Sequence, residues 1–214
     1  MKKILVLISG RGSNLAALLE AVDKNEIAGR IVHVISNRAD AGGLNFARER
    51  GIPTTIIPSK DFNDREAFDM ALGDAIAKEQ PDLIVLAGFM RILGEKINAR
   101  FAGKIINIHP ALLPSYPGLH THRRALDDGV KWHGCTVHFV TLKVDIGPII
   151  GQAVVPVLPD DDEGALAARV LESEHRLLVD CVRWFCEDRL TVRDNKVILH
   201  DEVGSACAQQ HPQG

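Results

Sequence analysis

At 214 residues the chain is the size of one globular domain, long enough to bury most of the surface it exposes when unfolded. Its composition is that of an ordinary soluble enzyme: 46% hydrophobic, 25% charged, formal net charge -3 and sequence pI near 6.3, which argues against wholesale binding of nucleic-acid phosphates. The apolar run Ile4 to Ile8 ends at Ser9-Gly10-Arg11, too early for a signal peptide, and no run approaches the roughly 18 apolar residues of a membrane helix.

A cytoplasmic location is therefore expected. Cys135, Cys181, Cys186 and Cys207 form no Cys-x-x-Cys pair, which argues against a zinc site and for reduced, mostly buried thiols.

Along the chain, Lys3 to Ile8 reads as a strand ending in a glycine-rich turn, followed by a helix over Leu15 to Leu19. Arg30 to Ser36 is a β-branched strand, Ala41 to Arg50 a helix stopped at Gly51, and Thr54 to Ile57 a third strand. Asp64 to Glu79 is helical and is broken by Pro81; Asp82 to Ala87 and Lys104 to Ile108 are strands four and five. Strands alternating with helices imply right-handed crossovers, so the fold class is α/β, a Rossmann-like, mainly parallel sheet with helices on both faces.

Beyond Pro117, Cys135 to Thr141 and Gln152 to Leu158 read as strands flanking a Gly147-Pro148 turn. A long helix follows from about Glu163 to Asp188; its apolar positions recur at helical spacing and put Trp184 in core packing. Leu190 to Val192 and Lys196 to Leu199, joined through Asp194-Asn195, read as a hairpin. Residues 1–200 are expected to form a single domain, with 201–214 a flexible tail.

Ligands of a parallel α/β sheet bind beyond the carboxyl ends of its strands. After the first strand, Ser9-Gly10-Arg11-Gly12-Ser13-Asn14 leads into a helix N-terminus. The third glycine and the acidic residue of a dinucleotide site are missing, as is a Walker Gly-Lys-Ser/Thr, so a phosphomonoester on Gly12, Ser13 and Asn14 fits better than NAD or ATP. A plain turn with Ser13 or Asn14 capping the helix is the alternative. After the fourth strand, Gly88 to Leu93 is a mostly apolar stretch that would serve equally as ordinary core or as a wall for a flat heteroaromatic ring.

On the fifth strand Asn107 and His109 are two residues apart and share a face, and Pro110 ends the strand beside them. An amide donor next to an imidazole suits a developing oxyanion and a proton in transit, with a structural histidine as the alternative. Asp145 lies in a loop, where it is either a surface carboxylate or a partner that orients His109 and holds it protonated. His120 and His122 are spaced as a metal pair but lack an evident third ligand, so no metal is expected.

Five segments in order carry a resemblance: Ile8 to Asn14, Leu86 to Leu93, Asn107-Ile108-His109-Pro110-Ala111-Leu112-Leu113-Pro114, Tyr116 to His122, and Asp145 to Ile150. Together they closely resemble the phosphoribosylglycinamide formyltransferases of the monofunctional bacterial type, over nearly the whole chain. The resemblance implies transfer of the formyl group of 10-formyltetrahydrofolate, a co-substrate, to the amine of glycinamide ribonucleotide in de novo purine biosynthesis.

It also implies the formyltransferase fold, with phosphate binding in the N-terminal half and folate binding and a catalytic loop in the C-terminal half. Asn107, His109 and Asp145 would be catalytic. Gly12, Ser13, Asn14, Pro110, Gly118 and Glu174 would meet the ribonucleotide. Arg65, Met90, Arg91, Ile92, Leu93, Asn107, Val140, Thr141, Leu142, Lys143, Val144 and Asp145 would line the folate. The partners implied are these small molecules, with neither nucleic acid nor membrane, and a homodimer is left open.

Departures from the family pattern are Ile146 where a glycine is frequent, Leu142 and Lys143 in place of acidic residues, and Leu171 in place of a polar contact. Methionyl-tRNA formyltransferase shares the central motif but would add an RNA-binding domain and a more basic surface. Formyltetrahydrofolate deformylase would add a regulatory domain before the first strand. Neither addition is expected here, and intact Asn107, His109 and Asp145 argue against a catalytically silent sensor.

Overall fold

The computed structural model describes residues 1–201. Its first part runs β1 (Lys2–Ile8), α1 (Ser13–Asp23), β2 (Gly29–Ser36), α2 (Gly43–Glu49), β3 (Thr54–Ile56), α3 (Arg65–Glu79), β4 (Leu83–Leu86), α4 (Glu95–Arg100) and β5 (Ile105–His109). The second part runs α5 (Thr121–Asp127), β6 (Trp132–Phe139), β7 (Ile149–Pro156), α6 (Glu163–Cys186), β8 (Leu190–Arg193) and β9 (Lys196–Leu199). The expected tail lies, past Asp201, outside the described residues, and so does Cys207.

Seven strands form one sheet in the order β3-β2-β1-β4-β5-β6-β7, and β8 and β9 pair as a separate hairpin. Neighbours from β3 to β5 are parallel, while β5 with β6 and β6 with β7 are antiparallel. Alternation along β1 shows how the sheet is covered. Ile4, Val6 and Ile8 pack with α1, α2 and α6, whereas Leu5 and Leu7 point to the other face and pack with α3 and α4. A strand apolar on both faces is stable only at the centre of such a sandwich, and there it contributes roughly 1.5–3 kcal/mol per buried aliphatic side chain.

Helix ends follow their caps. Asp64 accepts the Ala67 N–H at 2.8 Å and starts α3, and left-handed Gln80 before Pro81 ends it. Asp162 accepts the Ala165 N–H at 2.7 Å and starts α6, whose Leu166, Val170, Leu178, Cys181 and Val182 form its core stripe, with Trp184 half-buried against that core.

The sequence reading missed α4, which at six residues with only Ile97 buried is too short to show a period. It also began β6 and β7 three residues late. Trp132, paired with Pro156, is 62% exposed, and Gly134 interrupts the alternation, so pairing and not pattern defines that end. Among the described residues no helix is long and apolar enough to cross a membrane. Cys135, Cys181 and Cys186 are buried free thiols, and burial pushes Cys135 and Cys186 up to about 12.

Candidate active site

In the order β2-β1-β4-β5, the chain leaves β1 toward one side of the sheet and β4 toward the other, which opens a crevice at their carboxyl ends. The loop after β1 enters α1 through Gly12, whose φ of +79 suits glycine, and a side chain there would collide with the Cα of Gly43. Neither Ser13 nor Asn14 caps α1. Asn14 turns away and donates from Nδ2 to Oε2 of Glu174 on α6 at 2.8 Å. Burial raises the Glu174 carboxyl, against a smaller lowering by that hydrogen bond. Gly12, Ser13, Asn14, Pro110, Leu171 and Glu174 all line one crevice of about 460 Å³. Gly118 is not among its lining residues; its N–H donates to Oδ2 of Asp145 at 2.8 Å.

The catalytic candidates meet at the end of β5. The loop between β6 and β7 closes tightly because Phe139 N–H donates to the Pro148 carbonyl at 2.9 Å and because Gly147 has no side chain to strike the Phe139 carbonyl. That closure returns Asp145, at φ +55, to His109: Oδ2 lies 3.4 Å from Nδ1. His109 is 5% exposed and its Nε2 lies 2.8 Å from the Tyr116 carbonyl, which can only accept. The proton of the neutral ring is therefore on Nε2, leaving Nδ1 as a lone pair facing a carboxylate. Only a second proton joins them.

Two influences oppose each other at His109. Burial lowers the His109 pKa and outweighs the raising by the Tyr116 hydrogen bond and the Asp145 charge. Asp145 favours the cation, and burial opposes it. Asp145 itself stays below the ordinary carboxylate range: burial alone would raise it, but His138, the Gly118 N–H and His109 together lower it.

His138, which the sequence reading passed over, completes the cluster. Antiparallel register sets it directly opposite Asn107. Its Nδ1 donates to the Phe139 carbonyl at 2.9 Å, so Nε2 of the neutral ring accepts from Asn107 Nδ2 at 3.2 Å. The same Nε2 is 3.6 Å from Oδ1 of Asp145. This contact fixes which end of the Asn107 amide carries N–H groups and leaves the second one free. The only signal in sequence was the polar residue in apolar Val137-His138-Phe139, and its meaning depends on pairing.

In the segments expected to meet the folate, Arg65 donates to the Ile92 carbonyl at 2.9 Å and Arg91 stacks over Phe68 at 5.3 Å. Met90 is 66% exposed and Ile92 57%, whereas the Leu93 side chain is buried and offers a ligand only its backbone. Val140 is tied by its N–H to Ile105 at 2.8 Å, and Thr141 donates to the Lys143 carbonyl at 3.2 Å. Leu142 and Val144, in the loop that carries Asp145, are also exposed.

His122, two residues beyond His120, packs edge-on against His133 with ring centroids 5.3 Å apart. Among the described residues no group of three or more His, Cys, Asp or Glu could hold a metal ion. Burial, and then the nearby His122, push His133 down to about 4. The folded value lies below the ordinary one near 6.5, so the unfolded chain binds more protons between them. Stability present above pH 6.5 should fall by about 3 kcal/mol as the pH drops to 4. Urea unfolding against pH should show that slope, and His133→Phe should flatten it; a variant with the parent's slope would contradict the assignment.

Three comparisons bear on this site. The formyl transferase family matches residues 2–182. Phosphoribosylglycinamide formyltransferase of Escherichia coli K12 is 49% identical over 196 residues, covering 92% of each chain. Glycinamide ribonucleotide transformylase 1 of Symbiobacterium toebii superposes with a TM-score of 0.92 at 46% identity, covering 94% of this chain and 95% of that one. A formyltetrahydrofolate deformylase from Pseudomonas syringae pv. tomato also superposes, with a TM-score of 0.87 at 34% identity, but this chain covers only 67% of it. With nearly its whole length matched, and with Asn107, His109 and Asp145 gathered at the end of β5, the chain belongs to the formyl transferase family.

Proposed function

We propose that the protein transfers the formyl group of 10-formyltetrahydrofolate to the amine of glycinamide ribonucleotide, giving the formylated ribonucleotide and tetrahydrofolate. The observation that supports this reading is the gathering of Asn107, His109, His138 and Asp145 into one cluster, with two differently lined walls proposed in the adjoining segments. One wall is a glycine-rich turn at the start of α1 with Glu174 beside it, suited to a phosphate and a ribose. The other is the exposed apolar surface of Met90, Ile92, Leu142 and Val144 near Arg65, suited to a flat ring with an anionic tail.

In this reading Gly12, Ser13 and Asn14 hold the phosphate, Glu174 accepts from ribose hydroxyls, and Pro110 and Gly118 border the glycinamide. The ribonucleotide amine attacks the formyl carbon, a new C–N bond forms and the carbonyl oxygen becomes an oxyanion. The free N–H of Asn107 donates to that oxygen. The attacking nitrogen, now cationic, gives up a proton that neutral His109 can take on Nδ1. Asp145 then stabilises the imidazolium in a contact that improves only as the proton arrives, so its contribution is larger in the transition state than in the resting enzyme. The C–N10 bond breaks as the same proton is passed to the folate nitrogen. Each side chain ends as it began.

The reading is tested by steady-state kinetics with both substrates varied. The parent should turn over only when ribonucleotide is present. Ser13→Ala combined with Asn14→Ala should raise KM for the ribonucleotide about tenfold, consistent with loss of one or two hydrogen bonds to a charged group, and leave that for the folate near the parent value. Equal changes in both constants would remove the α1 terminus from ribonucleotide binding.

A further inference from the structure

One small side chain ties the segment after β1 to the segment after β4. Ser9, the first residue beyond β1, is 4% exposed. Its hydroxyl accepts the Met90 N–H at 2.8 Å and donates to Oδ1 of Asn37 at 2.5 Å, while its own N–H donates to the Gly88 carbonyl at 3.2 Å. Ser9 therefore grips the start of the apolar wall at two points. From the same residue the chain runs directly into Gly10 to Asn14, and the Gly10 carbonyl is held in turn by the Gly43 N–H at 3.1 Å. The two walls thus share one mechanical joint, and it sits where β1 and β4 part.

A hydroxyl donates and accepts at a single atom, which this joint requires. Alanine at position 9 would keep the backbone bond to Gly88 but leave the Met90 N–H and the Asn37 amide without their partner. The wall could then shift relative to the α1 terminus without either surface being altered. Reaction between two bound molecules is sensitive to such a shift: a misplacement of about 1 Å can cost on the order of 10²-fold in rate.

We propose that Ser9 is a positioning residue that fixes the separation of the Gly12–Asn14 turn from the Gly88–Leu93 wall, and thereby the alignment of the two substrates for transfer. This rests on the assignment of those segments to ribonucleotide and folate. Ser9 is 4% exposed, so its removal is expected to act on alignment and not on affinity.

A ligand that joins both substrates covalently reports the separation directly, because its advantage over the two separate pieces depends on whether both sites can be filled at once. The probe is an adduct in which one carbon links the ribonucleotide's amine nitrogen to the folate's N10 position, compared with glycinamide ribonucleotide and a non-transferring folate analogue alone. Ser9→Ala should bind each separate piece within about twofold of the parent, bind the adduct about tenfold more weakly, and lower kcat about tenfold with both KM values nearly unchanged, in line with a shift below 1 Å.

Asn37→Leu, which keeps Ser9 but removes the acceptor of its hydroxyl, should show the same pattern at smaller size and decides the matter if Ser9→Ala does not fold. Folded variants whose adduct affinity is unchanged, or falls only as much as that of the pieces, would overturn the positioning role. A parent that binds neither piece would overturn the substrate assignment itself, and this proposal with it.

Discussion

Asp145→Asn should lower turnover by roughly 10²–10⁴-fold, the range associated with a group that manages a proton in the transition state. The substitution is a clean electrostatic test because Asp145 sits at φ +55, a conformation asparagine adopts readily, and an amide oxygen can still accept the Gly118 N–H. What disappears is the charge 3.4 Å from His109 Nδ1.

The sign follows from the balance at His109. Burial lowers its pKa and Asp145 raises it, so removal of the carboxylate should drive the His109 pKa further down. The imidazolium formed during transfer then lacks its partner, and lowering the pH should not restore the lost rate, because acid protonates both the His109 acceptor and the attacking amine. Ring-proton NMR titration of His109 in both proteins, beside their pH-rate profiles, checks this. A His109 pKa that stays the same or rises in the variant would leave Asp145 as a loop-shaping residue only.

Asn107→Ala should lower turnover by roughly 10²–10³-fold, the usual effect of deleting one oxyanion donor, and should do so mainly through kcat. The side chain stands half-buried at the end of β5 and its known partner is one nitrogen of His138, so the fold tolerates the loss. Circular dichroism and thermal unfolding should confirm a parent-like structure. Turnover within a few-fold of the parent, in a folded variant, would take Asn107 out of the mechanism and shift attention to the backbone N–H groups nearby.

Much of this architecture is legible in the residues because its signals are local. Apolar runs at β1 and β4, the spacing of Leu166, Val170 and Cys181, and the breaks at Gly51 and Pro81 each act over a few residues, and each marks an element found in the structure. Asn107 and His109 are legible for the same reason: period two puts both on one face of β5. What was hidden depends on pairing and on burial. His138 joins the cluster only because β6 runs antiparallel to β5 in a register that sets it opposite Asn107.

The balance of burial and charge at His109 was hidden on a similar ground. The sequence shows an Asp that could approach a His, but not the packing that removes water from the ring and turns the net shift downward. The capping reading of Asn14 failed because its partner, Glu174, is 160 residues away.

The central claim is that this site moves a formyl carbon from folate nitrogen to the ribonucleotide amine. Its most direct test is to follow that carbon by ¹³C NMR, with [¹³C]formyl-tetrahydrofolate, glycinamide ribonucleotide and stoichiometric enzyme in a single turnover. The account predicts that label appears as a formamide on the ribonucleotide at the rate at which tetrahydrofolate is released, with Asp145→Asn and Asn107→Ala slowing both together. Label appearing as free formate at the same rate with and without ribonucleotide would show that water is the acceptor and would contradict the account.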